Sequence, residues 1–132
     1  MLGRFVGSGW RGDVAIERVI IVEDHSAFAQ ALELVLGQVD GTEVALARTL
    51  EEGRDLIRGG EPFDLVLDLT LPDGEGTELI AELRQSHPET PVAVLSARDD
   101  VDEAASKAGA DAAIPEDTSL PDIISSLRRL AE

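Results

Sequence analysis

The sequence has no cysteine, a single lysine (Lys107) and no long apolar run. The absence of cysteine excludes disulfide bonds and thiolate metal sites and fits a reducing cytosol. No apolar stretch approaches the roughly 18 residues that a membrane span needs. Residues 1–17 also lack the apolar segment of a signal peptide. We therefore expect a cytoplasmic domain that has no contact with a membrane.

Positive charge is scarce as well. Eleven lysines and arginines face 27 aspartates and glutamates, which gives a net charge of −16. Such a chain repels a phosphate backbone, so we expect no direct binding of nucleic acid. The length of 132 residues and the apolar fraction of 43% are typical of one soluble globular domain. Carboxylates that cluster at one place would attract a divalent cation.

The first 17 residues are rich in glycine and have little periodicity, and we interpret residues 1–17 as a flexible N-terminal extension. Residues 7–12 match the pattern G-x-G-x-x-G. A dinucleotide site would need a strand before this pattern and a helix after it, and neither is indicated here. The domain itself is expected to span residues 18–132.

From Arg18 onward, short apolar runs alternate five times with segments of helical period. Continuous apolar runs are typical of parallel strands that are covered on both faces. We predict right-handed crossovers, a capping box at residues 49–52 and helix stops at Gly37, residues 59–60 and Gly109. The predicted strands are 18–23, 43–48, 63–68, 91–96 and 111–115, and the predicted helices are 25–37, 50–59, 75–86, 100–108 and 121–131.

Acidic or hydroxyl side chains follow several of these strands. Glu23 and Asp24 follow the first strand, Asp68 ends the third and Ser96 ends the fourth. An open parallel α/β sheet places its sites at this edge. Any one of these residues alone could be a helix N-cap, but together they describe a Mg²⁺ site beside an acceptor carboxylate. The backbone carbonyl of Thr70 would be a further ligand, since Mg²⁺ prefers oxygen atoms.

Four segments then carry a resemblance to a known family. Residues 22–28 resemble the acidic-pair segment of receiver domains in two-component response regulators, and residues 68–76 resemble the phosphoacceptor stretch. Residues 94–97 and 108–111 resemble the strand with the switch hydroxyl and the approach to the fifth strand. The segments occur in the family's order and spacing, and the resemblance covers about residues 18–131.

The resemblance implies an α/β fold, a flavodoxin-like (βα)₅ three-layer sandwich with a five-stranded parallel sheet in the order 2-1-3-4-5. It implies that Asp68 is the phosphoacceptor, that Glu23 and Asp24 belong to the Mg²⁺ site, and that Ser96 is the switch hydroxyl. The expected partner is a sensor histidine kinase or a phosphotransfer protein. The face of the fourth helix, fifth strand and fifth helix would bind an effector or a second copy of the chain. The domain would be a signalling phosphoacceptor and not an enzyme.

Two residues depart from the family's pattern. Glu116 stands where the family has a lysine that pairs with the phosphoryl group, and Ala113 stands where it often has a rotating aromatic ring. A glutamate would repel the phosphoryl group by about 1–4 kcal/mol at roughly 4 Å. Arg98 is a candidate substitute charge. These departures leave open an alternative, a receiver-like interaction module that works without phosphorylation.

A small Mg²⁺-dependent phosphatase is a third possibility. Phosphatases that resemble haloacid dehalogenases have a second aspartate two residues after the nucleophile. Thr70 occupies that position here, so the sequence disfavours this class.

Overall fold

The structure is a computed structural model, and it describes residues 18–38, 42–59, 63–68, 70–96 and 101–131. The predicted extension at residues 1–17 and Arg98 lie outside the described residues. The elements in chain order are β1 (Arg18–Val22), α1 (Ser26–Gln38), β2 (Glu43–Ala47), α2 (Leu50–Ile57), β3 (Asp64–Asp68), β4 (Thr70–Leu71), β5 (Gly74–Glu75), α3 (Gly76–Ser86), β6 (Val92–Ser96), α4 (Val101–Ala108), β7 (Ala112–Pro115) and α5 (Leu120–Ala131).

Five of these strands form one parallel sheet in the order β2-β1-β3-β6-β7. Since β4 and β5 are not part of it, these are the five predicted strands, and the predicted order 2-1-3-4-5 is confirmed. The central strands are buried because helices cover both faces of the sheet.

Side chains alternate between the two faces, as the period of a strand requires. On β1, Ile20 and Val22 belong to a core with α2, α3 and α4, whereas Val19 and Ile21 belong to a core with α1 and α5. The predicted three-layer sandwich is thereby confirmed. Each face of the sheet has its own hydrophobic core, which holds the carboxyl ends of the strands in fixed positions.

A short antiparallel hairpin of β4 and β5 follows the third strand and was not predicted. Thr70 pairs with Glu75, and Leu71 pairs with Gly74. Gly74 has a φ of 150°, and a Cβ atom there would lie 2.8 Å from Leu50 Cδ1. Glycine is therefore required for the close approach of this hairpin to α2.

The start of α2 differs from the predicted capping box. Thr49 Oγ1 accepts a hydrogen bond from Glu52 N at 3.1 Å, as predicted, but Glu52 Oε1 accepts from Arg48 N at 2.8 Å and not from Thr49. Asp73 from the β4–β5 turn accepts from Leu50 N at 2.8 Å and from Glu51 N at 3.2 Å. The residues after the third strand are thus bonded directly to the N-terminus of α2.

Element ends differ from the predictions by one or two residues. The predicted stop at Gly37 is wrong, because α1 continues to Gln38. The helix α2 ends at Ile57, before the predicted stop at residues 59–60. Gly109 does end α4, with a φ of 95° and a hydrogen bond from its N–H to Ala105 O at 3.1 Å.

An ion pair fixes the approach to β7. Arg84 Nη2 donates to Asp111 Oδ2 at 2.9 Å, and Arg84 also donates to the carbonyl oxygen of Gly109. Asp111 Oδ2 accepts from Val92 N at 2.9 Å as well. This network holds the segment before β7 against the start of β6 and the end of α3.

None of the helices in the described part of the chain is both long and apolar enough to cross a membrane.

Candidate functional site

The register of the sheet brings the predicted site residues to one edge. Val22 of β1 is opposite Leu67 of β3, so Glu23 and Asp68 are the next residues on neighbouring strands. Asp68 is opposite Leu95 of β6, and Ser96 is the residue after Leu95. The packing of the two cores therefore decides which carboxylates meet.

Glu23 is a buried acid at this edge, with 2% of its surface exposed. Its Oε2 accepts a hydrogen bond from His25 N at 3.2 Å. In the described part of the chain, no N–H or O–H group donates to the buried Oε1 atom. A hydrogen bond between Glu23 and Asp68 requires that one of the two carboxyl groups holds a proton.

These surroundings raise the pKa of Glu23 to about 9. Burial is the largest cause, because it disfavours the charged form. The hydrogen bond with Asp68 and the negative charges of Asp68 and Glu116 raise the pKa further, and the His25 N–H lowers it. Without a cation, the site therefore relieves its charge by keeping a proton on Glu23.

Glu116 completes a group of three carboxylates. One oxygen atom from each of Glu23, Asp68 and Glu116 lies within 4.8 Å of the other two. Glu116 is half-buried and sits in the turn after β7, where Thr118 N donates to Pro115 O at 3.0 Å. Asp68 is 8% exposed. The three acids thus lie close together at the carboxyl-terminal edge of the parallel sheet.

The remaining predicted residues differ in how the structure places them. Asp24 is exposed and is not a member of the three-carboxylate group. Thr70 begins β4 and Ser96 ends β6, but their side chains lie outside the described residues. Ala113 is half-buried against the core shared with α4. Arg98 lies outside the described residues, so its role as a substitute charge stays a prediction.

The three-carboxylate group, with oxygen atoms within 4.8 Å of one another, offers the kind of ligand atoms that a hard divalent cation takes. Mg²⁺ takes oxygen ligands at about 2.0–2.1 Å in octahedral geometry, so oxygens on one ion are about 3 to 4.2 Å apart. The buried Oε1 of Glu23, which lacks a donor among the described residues, has the chemistry of a ligand atom.

Two features of the site were missed at the level of sequence. Glu116 was expected to repel a phosphoryl group, but not to turn toward Glu23 and Asp68. Asp73 was not singled out, although it links the segment after Asp68 to α2. No local pattern could have revealed either feature, because each depends on residues that are distant in sequence.

Known proteins share this chain's sequence pattern. The profile of the response regulator receiver domain matches residues 19–128. Response regulator protein PilR of Pseudomonas aeruginosa is 41% identical over 97 residues, which are 71% of this chain and 21% of PilR. Response regulator MprA of Mycolicibacterium vanbaalenii is 35% identical over 115 residues, which are 86% of this chain and 49% of MprA. The chain thus spans at most about half the length of these two relatives.

Solved structures agree with these matches. The non-phosphorylated HemR receiver domain from Leptospira biflexa has a TM-score of 0.80 and 31% identity, covering 88% of this chain and 94% of that chain. A CheY-like receiver domain protein from Methanospirillum hungatei has a TM-score of 0.79 and 28% identity over 88% and 94% of the two chains. With the strand order and the acidic strand ends, these matches show that the chain belongs to the receiver domain family of two-component response regulators.

Proposed function

We propose that this receiver domain accepts a phosphoryl group on Asp68 with Mg²⁺ bound, as part of a histidine-to-aspartate phosphorelay in the cytoplasm. The observation that carries the proposal is the meeting of Asp68 with Glu23 at the edge of the sheet, inside a group of carboxylates that fits a cation. A sensor histidine kinase or a phosphotransfer protein would be the donor.

In the transfer step, an oxygen atom of Asp68 attacks phosphorus in line with the leaving imidazole of the donor. The bond between Asp68 oxygen and phosphorus forms, the phosphorus–nitrogen bond breaks, and the imidazole takes up a proton. Such a transfer needs mainly positioning and neutralisation of charge. Mg²⁺, when bound, supplies this neutralisation.

The protein's own residues would hold the reacting groups. Glu23 and Asp68 would be carboxylate ligands of the cation, and Asp24 and the Thr70 carbonyl would contribute directly or through water. Ser96 would donate its hydroxyl hydrogen to a phosphoryl oxygen. Its position at the end of β6, beside the strand of Asp68, supports this role.

The response to phosphorylation would involve the face of α4, β7 and α5, which would bind an effector or a second copy of the chain. Ser96 and the turn that carries Glu116 connect this face to Asp68, since Ser96 is opposite Pro115 in the sheet. The half-buried Ala113 leaves no aromatic ring to rotate at that position.

The proposal is tested by incubating the protein with Mg²⁺ and acetyl phosphate and recording the intact mass. One phosphoryl adduct is expected for the wild-type chain and none for Asp68→Asn. Glu82→Gln is a matched control, because it removes an exposed carboxylate of α3 that pairs with Arg54 of α2 and is not a member of the three-carboxylate group. No adduct on a folded wild-type chain would contradict the proposal and favour an interaction module that works without phosphorylation.

A further inference from the structure

We propose that Glu116 is itself a ligand of the divalent cation, so that three carboxylates hold the ion before any phosphoryl group arrives. The inference rests on the cation site of the proposed function and is independent of the transfer step. It gives a role to the residue that departs most from the family's pattern.

The position of Glu116 is the first argument. The residue follows β7, which lies three strand positions from β1 in the sheet. Three strand spacings are about 14 Å, yet oxygen atoms of Glu116, Glu23 and Asp68 lie within 4.8 Å of one another. Both glutamates therefore extend toward Asp68 from opposite sides.

The electrostatics are the second argument. The negative charges of Asp68 and Glu116 repel one another and oppose the ionisation of Glu23, and a glutamate in a surface turn could avoid this by pointing to water. The charges that act on Glu23 come from Asp68 and Glu116, and both are negative. An arrangement that gathers like charges is stabilised when a divalent cation lies between them.

The third argument does not depend on the cluster of charges. Glu23 is 2% exposed, and no donor among the described residues reaches its buried Oε1 atom. A buried polar atom without a partner is costly and rare in native proteins. A cation between Glu23, Asp68 and Glu116 would supply the missing partner.

The charge count indicates how such a site would behave. A divalent ion held by three carboxylates leaves a net charge of −1, and a phosphoryl group would add further negative charge. Cation binding through Glu116 would therefore oppose phosphorylation.

The test is a titration of the full chain with Mn²⁺, followed by electron paramagnetic resonance, with Mg²⁺ as competitor. Glu116→Gln keeps the size of the side chain and removes its charge, and we expect it to weaken Mn²⁺ binding by about tenfold or more. Asp117→Asn is the matched control, because it removes the same charge from the adjacent exposed residue. We expect less than about a threefold effect from this control.

A second measurement distinguishes a Glu116 side chain that binds the ion from one that only adds negative charge near it. With a chelator present, Glu116→Gln should raise the midpoint of thermal unfolding, because it removes repulsion. With Mn²⁺ present, the variant should gain less thermal stability than the wild-type chain. A thermal unfolding transition of the variant in both conditions also shows that the variant folds.

Equal Mn²⁺ affinities for wild type, Glu116→Gln and Asp117→Asn would overturn the inference, and so would equal losses in the two variants. Absence of Mn²⁺ and Mg²⁺ binding to the wild-type chain would overturn both this inference and the cation site of the proposed function. The acetyl phosphate assay distinguishes the two proposals. An adduct on Asp68 together with unchanged affinity in Glu116→Gln would leave the phosphoacceptor function standing and remove Glu116 from the site.

Discussion

Without a divalent cation, the buried carboxyl group of Glu23 should make the protein less stable as pH rises. Its pKa is raised from 4.5 to about 9, first by burial and then by its contacts with Asp68 and by the charge of Glu116. In the unfolded chain Glu23 ionises at its ordinary pKa, whereas in the folded chain it keeps its proton. Glu23→Gln replaces this group with a neutral side chain of the same shape.

The sign and the size of the effect follow from proton linkage. Between the two pKa values the folded state binds one more proton than the unfolded state, so the free energy of unfolding falls as pH rises. The contribution of Glu23 is fully present below pH 4.5 and is lost as pH approaches about 9. The slope is at most about 1.4 kcal/mol per pH unit, or at most about 2.7 kcal/mol between about pH 5.5 and 7.5.

Urea unfolding in the presence of a chelator measures this slope at several pH values. The difference between wild type and Glu23→Gln isolates the contribution of Glu23, since all other acids and both histidines are common to the two chains. Asp24→Asn is the control, because it neutralises the adjacent exposed acid and keeps Glu23. Parallel curves for wild type and Glu23→Gln would refute the reasoning about the buried carboxyl group.

Three further changes should have measurable effects on unfolding. Asp111→Ala should lower the free energy of unfolding by about 1–3 kcal/mol in urea, because the backbone N–H of buried Val92 loses its acceptor and Arg84 loses one of several. Asp73→Asn should cost stability at neutral pH, because N–H groups of α2 lower the pKa of Asp73 in the folded chain. This cost should be fully present above the ordinary pKa of 3.8 and should disappear as pH falls through the lowered pKa of the folded chain. Gly53→Ala should destabilise by up to about 2 kcal/mol despite a better helix propensity, since its Cβ atom would lie 3.0 Å from buried Val22. For each of the three variants, a midpoint of urea unfolding at neutral pH that equals the wild-type value would contradict the prediction.

The main architecture was predictable because it depends on local periodicity. Alternation of apolar runs with helix-period segments indicated five βα units, and the resemblance to receiver domains gave the strand order. The hairpin of β4 and β5 was not predicted, since two-residue strands have no periodicity to detect. The helix end at Gln38 was also missed, because α1 continues through the exposed Gly37.

Only those site residues that directly follow or end a predicted strand could be predicted from the sequence. Glu23 and Asp68 follow apolar runs on adjacent strands, so their meeting follows from topology. The direction of the Glu116 side chain and the bonds from Asp73 to α2 depend on contacts across the sheet edge and between loops. Sequence spacing carries no information about such contacts.

The central claim is that Asp68 accepts a phosphoryl group, and reductive trapping tests it most directly. After reaction with acetyl phosphate and Mg²⁺, borohydride reduces an aspartyl phosphate to homoserine, and peptide mass spectrometry locates the changed residue. The account predicts homoserine at position 68, only when both acetyl phosphate and Mg²⁺ were present. A trapped product at another carboxylate, or an unchanged Asp68 in a folded chain, would contradict it.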